Sequence, residues 1–126
     1  MKIAFVSDDH SNISAHFGRA LYYEIFTLED GQVTAHETIN RAEMIAPRPG
    51  MLTVDSGHEQ HNHDHNAMIA PIEDCQVLVA GGMGQGAHIS LQESDIQPIL
   101  TDIKDIQLAL AAFLAGTIAN IPARLH

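Results

Sequence analysis

Cys75-Gln-Val-Leu-Val-Ala80, followed by Gly81-Gly-Met-Gly-Gln-Gly86, is the stretch that decides the fold of this chain. The first six residues are mostly apolar and β-branched, which predicts a buried strand over Cys75–Ala80. The glycines then lead into a predicted helix over Met83–Ser94. A strand that passes through a glycine turn into a helix is typical of an α/β sheet. The residues predicted to face inward on this helix are Ala87, Ile89 and Leu91.

Three strands are predicted upstream of this unit. Lys2–Ser7 opens the chain as a short apolar run, and Tyr22–Glu29 is rich in aromatic and β-branched residues. Asp30-Gly31 follows as a two-residue hairpin turn, because both positions tolerate positive φ. Gln32–Asn40 is therefore predicted to return as the partner strand of Tyr22–Glu29.

The downstream sequence predicts one more strand and one more helix. Ile96–Leu100 contains Pro98, which cannot donate a ladder hydrogen bond, so we expect a strand at the edge of the sheet. Thr101-Asp102 is the predicted cap of a helix over Ile103–Ala115, and Gly116 is expected to end that helix.

Between these regions the pattern changes. Arg41–His65 contains prolines and glycines and predicts a long loop of about 25 residues. Asn66–Glu73 predicts a short helix, and residues 117–126 predict a tail.

The order β-β-β-α-β-α-β-α predicts an α/β fold with helices packed on a mixed sheet. We expect a single domain over residues 1–126, since a chain of 126 residues provides one ordinary core.

Composition excludes several classes of function. Six basic residues against sixteen acidic ones give a net charge of −10, so no basic surface is available for nucleic acid. No apolar run approaches the ~18 residues of a membrane helix, and we expect no membrane partner. The single cysteine excludes an intramolecular disulfide and is typical of a reducing compartment. We therefore expect a cytoplasmic protein.

A histidine cluster in the predicted loop is the first candidate site. Imidazole nitrogens bind Zn, Ni, Cu or Fe, and rings two or three residues apart in a flexible loop can converge on one ion. The alternative is a solvated polar loop without a structured site. The candidate metal ligands are His58, His61, His63 and His65.

The segment after the first strand is the second candidate. His16 and Arg19 follow a strand end, which is where open sheets place their ligand crevices. Phe17 is expected to anchor the segment in the core. The alternative is a structural role, in which Arg19 pairs with Asp8 or Asp9.

Two further candidates lie in the stretch quoted first. The Gly81–Gly86 turn can expose backbone N–H groups to an anion at a helix N-terminus, or it can simply allow close packing of strand and helix. Cys75 could ligate iron or zinc as a thiolate. Its place at the start of a buried strand favours a structural thiol, and Asp74 is expected to raise its pKa.

Taken together, these motifs resemble the dinitrogenase iron–molybdenum cofactor biosynthesis family over roughly residues 1–116. The resemblance rests on the opening strand through Asp8-Asp9, on His16-Phe-Gly-Arg19, on Asp74-Cys75 and on Val79-Ala-Gly-Gly-Met-Gly-Gln-Gly-Ala87. It implies a ribonuclease-H-like α/β fold with a five-stranded mixed sheet. It also implies that the protein carries iron–molybdenum cofactor or its iron–sulfur precursor without catalysing a reaction.

The leading hypothesis is therefore a small non-catalytic carrier of a metallocluster, with cofactor-assembly proteins as possible partners. His16 and the loop histidines would ligate the cluster, Arg19 would neutralise charge, and the glycines would let the backbone approach. One alternative is a Zn- or Ni-binding or metal-responsive protein that uses the loop histidines. Another is a ligand-free interaction module that forms oligomers. The candidate cofactor-binding residues are Asp8, His16, Arg19, Cys75, Gly82 and Gly84.

Overall fold

The fold was obtained as a computed structural model that describes residues 1–41 and 68–125. A five-stranded mixed sheet forms its centre, with strand order β3-β2-β1-β4-β5. The predicted mixed α/β sheet is thereby confirmed. The strands are β1 (Lys2–Ser7), β2 (Tyr22–Glu29), β3 (Gln32–Asn40), β4 (Val77–Ala80) and β5 (Gln97–Leu100), and the helices are α1 (Gln85–Glu93) and α2 (Ile106–Ala115).

The antiparallel half of the sheet forms as predicted. β1 pairs with β2 and β2 with β3, both antiparallel. Asp30 and Gly31 have φ angles of 54° and 77°, which is the left-handed geometry that a two-residue hairpin requires. All three strands have the predicted bounds: β1 is a continuous buried run, and the Asp30-Gly31 turn sets where β2 ends and β3 begins.

The parallel half consists of β1, β4 and β5, so the carboxyl ends of these three strands lie at the same end of the sheet. β5 is an edge strand, as Pro98 predicts. Each face of the sheet has its own core. One core packs α1 through Ala87 and Leu91, and the other packs α2 through Ile106, Ala109 and Leu110.

Several element ends differ from the sequence prediction. β4 begins at Val77 rather than Cys75. α1 begins at Gln85 rather than Met83, because Gly84 has extended geometry, with ψ 164°.

Ile89 is exposed rather than inward. It lies two positions from Ala87 and Leu91, about 200° around a helix, so it cannot share their face. The described end of the predicted Asn66–Glu73 helix becomes a 3₁₀ turn at Ala70–Ile72, where Pro71 lies.

The cap of α2 also differs. Asp105, not Thr101-Asp102, is the N-cap, and its carboxylate accepts hydrogen bonds from the Gln107 and Leu108 N–H groups at 2.7 and 3.1 Å. A bridge between Asn12 and Asp105 keeps the preceding residues out of the helix. Gly116 ends α2 with φ 75°, as predicted.

We expect Asp105→Ala to lower the free energy of unfolding by about 1 kcal/mol, the usual cost of losing an N-cap. Asp102→Ala is the matched control, since it removes a carboxylate of the same type three residues away without touching the cap. Urea unfolding followed by circular dichroism measures both. An equal loss in the two variants would contradict the assignment of the cap to Asp105.

Candidate functional site

The candidate site lies where β1, β4 and β5 end. The segment 14–20, after β1, contacts the turn 81–86, after β4, and we call these two segments together the crest. The Gly81 N–H donates to the Ser14 carbonyl at 2.8 Å, and the Phe17 N–H donates to the Gly82 carbonyl at 3.0 Å. The two sequence motifs predicted to share a site are therefore in direct backbone contact.

Gly81 is the residue that permits this contact. A Cβ at this position would lie 2.9 Å from the Ala15 Cα and 3.0 Å from the Ser14 carbonyl oxygen. The close packing therefore occurs against segment 14–20 rather than between strand and helix.

Gly82 and Gly84, the two glycines predicted to bind a cofactor, differ in exposure. Gly82 is buried and its carbonyl is already paired with Phe17, so its backbone is part of the packing. Gly84 is exposed, and a Cβ there would have no neighbour within 4 Å. Gly84 is thus the glycine of the pair whose backbone a ligand can approach.

The polar side chains of segment 14–20 differ in exposure, since Ser14 is buried and two others are exposed. His16 and Arg19 face solvent, while Phe17 is buried and anchors the segment as predicted. The alternative pairing of Arg19 with Asp8 or Asp9 does not form. One Asp8 oxygen accepts the Leu21 N–H at 3.2 Å, and Asp9 accepts N–H groups of its own loop.

Arg41 brings a second guanidinium beneath the crest. Its side chain is fully buried between the rings of Phe17 and Tyr23, at 4.9 and 4.5 Å from their centroids. Nη1 donates to the Ala20 carbonyl at 2.9 Å. Burial lowers the pKa of Arg41, which Tyr23 and Asp8 oppose, but a guanidinium keeps its charge. Arg41 therefore holds segment 14–20 against β3.

Cys75 lies at the opposite end of the sheet. It precedes β4, next to the start of β1, since the Gln76 N–H donates to the Lys2 carbonyl. At strand spacing this is roughly 15–20 Å from the turn after β4. Burial and, as predicted, Asp74 raise the pKa of Cys75 to about 11, so the thiol is protonated at neutral pH. Cys75 therefore does not share a site with the crest residues.

Comparison of the sequence with known protein families gives a match that covers the whole crest. The family model described as dinitrogenase iron-molybdenum cofactor matches residues 1–116, a span that includes both segments of the crest. The chain belongs to this family. No curated protein sequence matches the chain significantly.

Solved structures share the fold of this member of the dinitrogenase iron-molybdenum cofactor family. The protein PH0822 is 21% identical with a TM-score of 0.71, and 96% of each chain is covered. The apo orange protein from Desulfovibrio gigas is 17% identical with a TM-score of 0.69, over 95% of this chain and 92% of that one. A Methanocaldococcus jannaschii protein provisionally described as a dinitrogenase is 17% identical with a TM-score of 0.65, over 96% and 94%. At these identities the likeness shows the fold alone.

The histidine cluster of the predicted loop lies outside the described residues, and with it His58, His61, His63 and His65. Within residues 1–41 and 68–125, no group of three or more His, Cys, Asp or Glu side chains is arranged to hold a metal ion. The same part of the chain has no helix long and apolar enough to cross a membrane.

Sequence analysis missed a polar cluster around Glu24 in this family member. The Glu24 side chain is 1% exposed, and its carboxylate is 2.7 Å from His10 Nδ1 and 2.7 Å from His36 Nε2. Thr38 Oγ1 donates to it at 2.8 Å. The available signal was Glu24 itself, a carboxylate on the same strand face as the apolar residues Phe26 and Leu28. The cluster joins the loop after β1 to β2 and β3.

Proposed function

We propose that the protein is a non-catalytic accessory protein that carries iron–molybdenum cofactor, or its iron–sulfur precursor, on the crest. The observation that carries the proposal is the direct backbone contact between segment 14–20 and the turn 81–86 in a chain that belongs to the cofactor family. The cytoplasmic setting, the cofactor-assembly partners and the ribonuclease-H-like classification of the sheet stay predictions.

Charge supports the crest as the binding surface. The chain has a net charge of −10, which repels an anionic iron–sulfur cluster, so a binding surface needs local positive potential. Arg19 is exposed on segment 14–20, and Arg41 lies buried beneath it. Arg124, from the C-terminal end of the chain, donates to the Gly81 carbonyl. Every described arginine is therefore at this end of the sheet.

In this proposal each crest residue has a distinct role. His16 supplies an imidazole ligand to the metal, and Arg19 offsets the charge of the sulfides. Gly84 allows the cluster to approach the backbone, while Gly82 maintains the packing that positions the turn. Asp8 fixes the start of β2 through the Leu21 N–H.

We expect His16→Ala to weaken retention of the cofactor at least tenfold, because it removes a metal ligand. Arg19→Ala is expected to weaken retention only a few-fold, since an exposed charge is screened by solvent. The measurement is anaerobic incubation of the purified protein with isolated iron–molybdenum cofactor, followed by desalting and analysis of iron and molybdenum.

Lys2→Gln is the matched control, because Lys2 lies at the opposite end of the sheet, paired with Asp74. Retention unchanged in His16→Ala would remove His16 from the site. Failure of the unaltered protein to retain iron or molybdenum would contradict the proposed function. Purification with zinc or nickel alone would instead favour the loop histidines as the metal-binding element.

A further inference from the structure

The C-terminal segment lies beyond the residues that the family model matches, which end at 116, yet it packs against the crest. The Ile121 N–H donates to the Leu100 carbonyl at 2.7 Å, and Asn120 Oδ1 accepts the Leu100 N–H at 2.9 Å. Further on, Leu125 forms a parallel bridge with Met83. The predicted tail is thus a structural part of this end of the molecule.

Arg124 brings a side chain from this segment onto the turn. It lies in a 3₁₀ turn over Pro122–Arg124, and its Nη1 donates to the Gly81 carbonyl at 3.2 Å. The neighbouring Gly82 carbonyl accepts from the Phe17 N–H. The two carbonyls at the start of the turn therefore accept hydrogen bonds from two different parts of the chain, Gly82 from segment 14–20 and Gly81 from Arg124.

The Arg124 guanidinium has further N–H donors that the described residues leave unused. Arginine has five N–H donors, and the hydrogen bond to Gly81 uses one of them. The others have no hydrogen-bond or ion-pair partner among residues 1–41 and 68–125. Arg124 is only part-buried, so a ligand on the crest can reach these donors.

We propose that Arg124 both positions the Gly81–Gly86 turn and donates hydrogen bonds to an anionic ligand on the crest. The inference rests on the proposed function and adds a residue from outside the matched family region. A guanidinium suits this role because its planar fork presents several charge-assisted donors to sulfide, carboxylate or oxyanion groups.

Three substitutions separate the two roles. Arg124→Lys keeps the charge and a donor, Arg124→Gln keeps a donor without the charge, and Arg124→Met removes both at similar length. We expect the backbone amide shifts of Gly82 and Met83, measured by NMR on ligand-free protein, to move in the Met variant and to stay near wild type in the Lys and Gln variants.

The same variants are then tested with isolated iron–molybdenum cofactor under anaerobic conditions. We expect Arg124→Lys to retain the cofactor within about threefold of wild type, Arg124→Gln to bind it about tenfold more weakly and Arg124→Met more weakly still. Added NaCl is expected to weaken retention by wild type more than by the Gln variant, because ionic contacts are screened. Lys2→Gln is again the charge-matched control.

The outcomes distinguish this inference from the proposed function. If wild type retains the cofactor and Arg124→Gln retains it equally well, the contact with ligand is wrong and the proposed function stands. If Arg124→Lys and Arg124→Gln weaken retention equally while the turn amides shift in both variants, Arg124 acts on structure alone and the inference also fails. If wild type retains no cofactor, the proposed function fails and this inference with it.

Discussion

Gly81→Ala is expected to destabilise the protein by about 2–3 kcal/mol, the upper part of the usual cost of forcing extra atoms into a closely packed site. The added Cβ would lie 2.9 Å from one backbone atom, the Ala15 Cα, and 3.0 Å from another, the Ser14 carbonyl oxygen. Backbone atoms cannot rotate away as a flexible side chain can. Segment 14–20 must therefore move off the turn, so retention of iron–molybdenum cofactor should also fall.

Gly84→Ala is the matched control, because the same methyl group at Gly84 meets no atom within 4 Å. Its backbone, with φ −82° and ψ 164°, is allowed for alanine. We expect a change within about 0.5 kcal/mol in urea unfolding. Equal stability of the two variants would show that segment 14–20 does not pack closely against the turn at Gly81.

The first three strands could be predicted because their sequence signals are local. β1, β2 and β3 have the predicted bounds, since the β-forming composition of the strands and the Asp30-Gly31 turn each act within a few residues. The ends of α1 and α2 were less predictable. Asp102 and Asp105 are equally good caps by residue type, and the pairing of Asn12 with Asp105 decides between them. That contact joins residues far apart in sequence.

Contacts between residues far apart in sequence also limit how much of the site can be predicted. Sequence motifs identified His16, Arg19 and the glycine turn, and the fold brings those segments together. Arg41 and Arg124 carry no motif. They reach the crest only because β3 ends beside Leu21 and because the C-terminal segment runs back along Leu100. Cys75 illustrates the converse, since it is only six residues before Gly81 in sequence but lies at the other end of β4 in space.

The buried carboxylate of Glu24 provides the second large effect. We expect Glu24→Gln to lower the free energy of unfolding at neutral pH by about 1.5–3 kcal/mol, because it removes a buried charge that accepts hydrogen bonds from half-exposed partners. His10 and His36 would each lose their charged partner, 2.7 Å away. Glu37→Gln, on the exposed edge strand β3, is the matched control and is expected to change stability by less than about 0.5 kcal/mol.

The pH dependence gives an independent measurement of the same cluster. Burial raises the pKa of Glu24, but hydrogen bonds from His10, Thr38 and His36 outweigh burial and hold the pKa below its ordinary value of 4.5. A carboxylate with a lowered pKa in the folded state stabilises the protein above the pKa of the unfolded state, and this contribution disappears as the pH falls through the lowered value.

The difference in unfolding free energy between wild type and Glu24→Gln should therefore have its full size at pH 6–7 and shrink below about pH 4.5. Urea unfolding across that range measures it, and a difference that is constant down to pH 3 would mean that Glu24 is not held as a carboxylate by its neighbours.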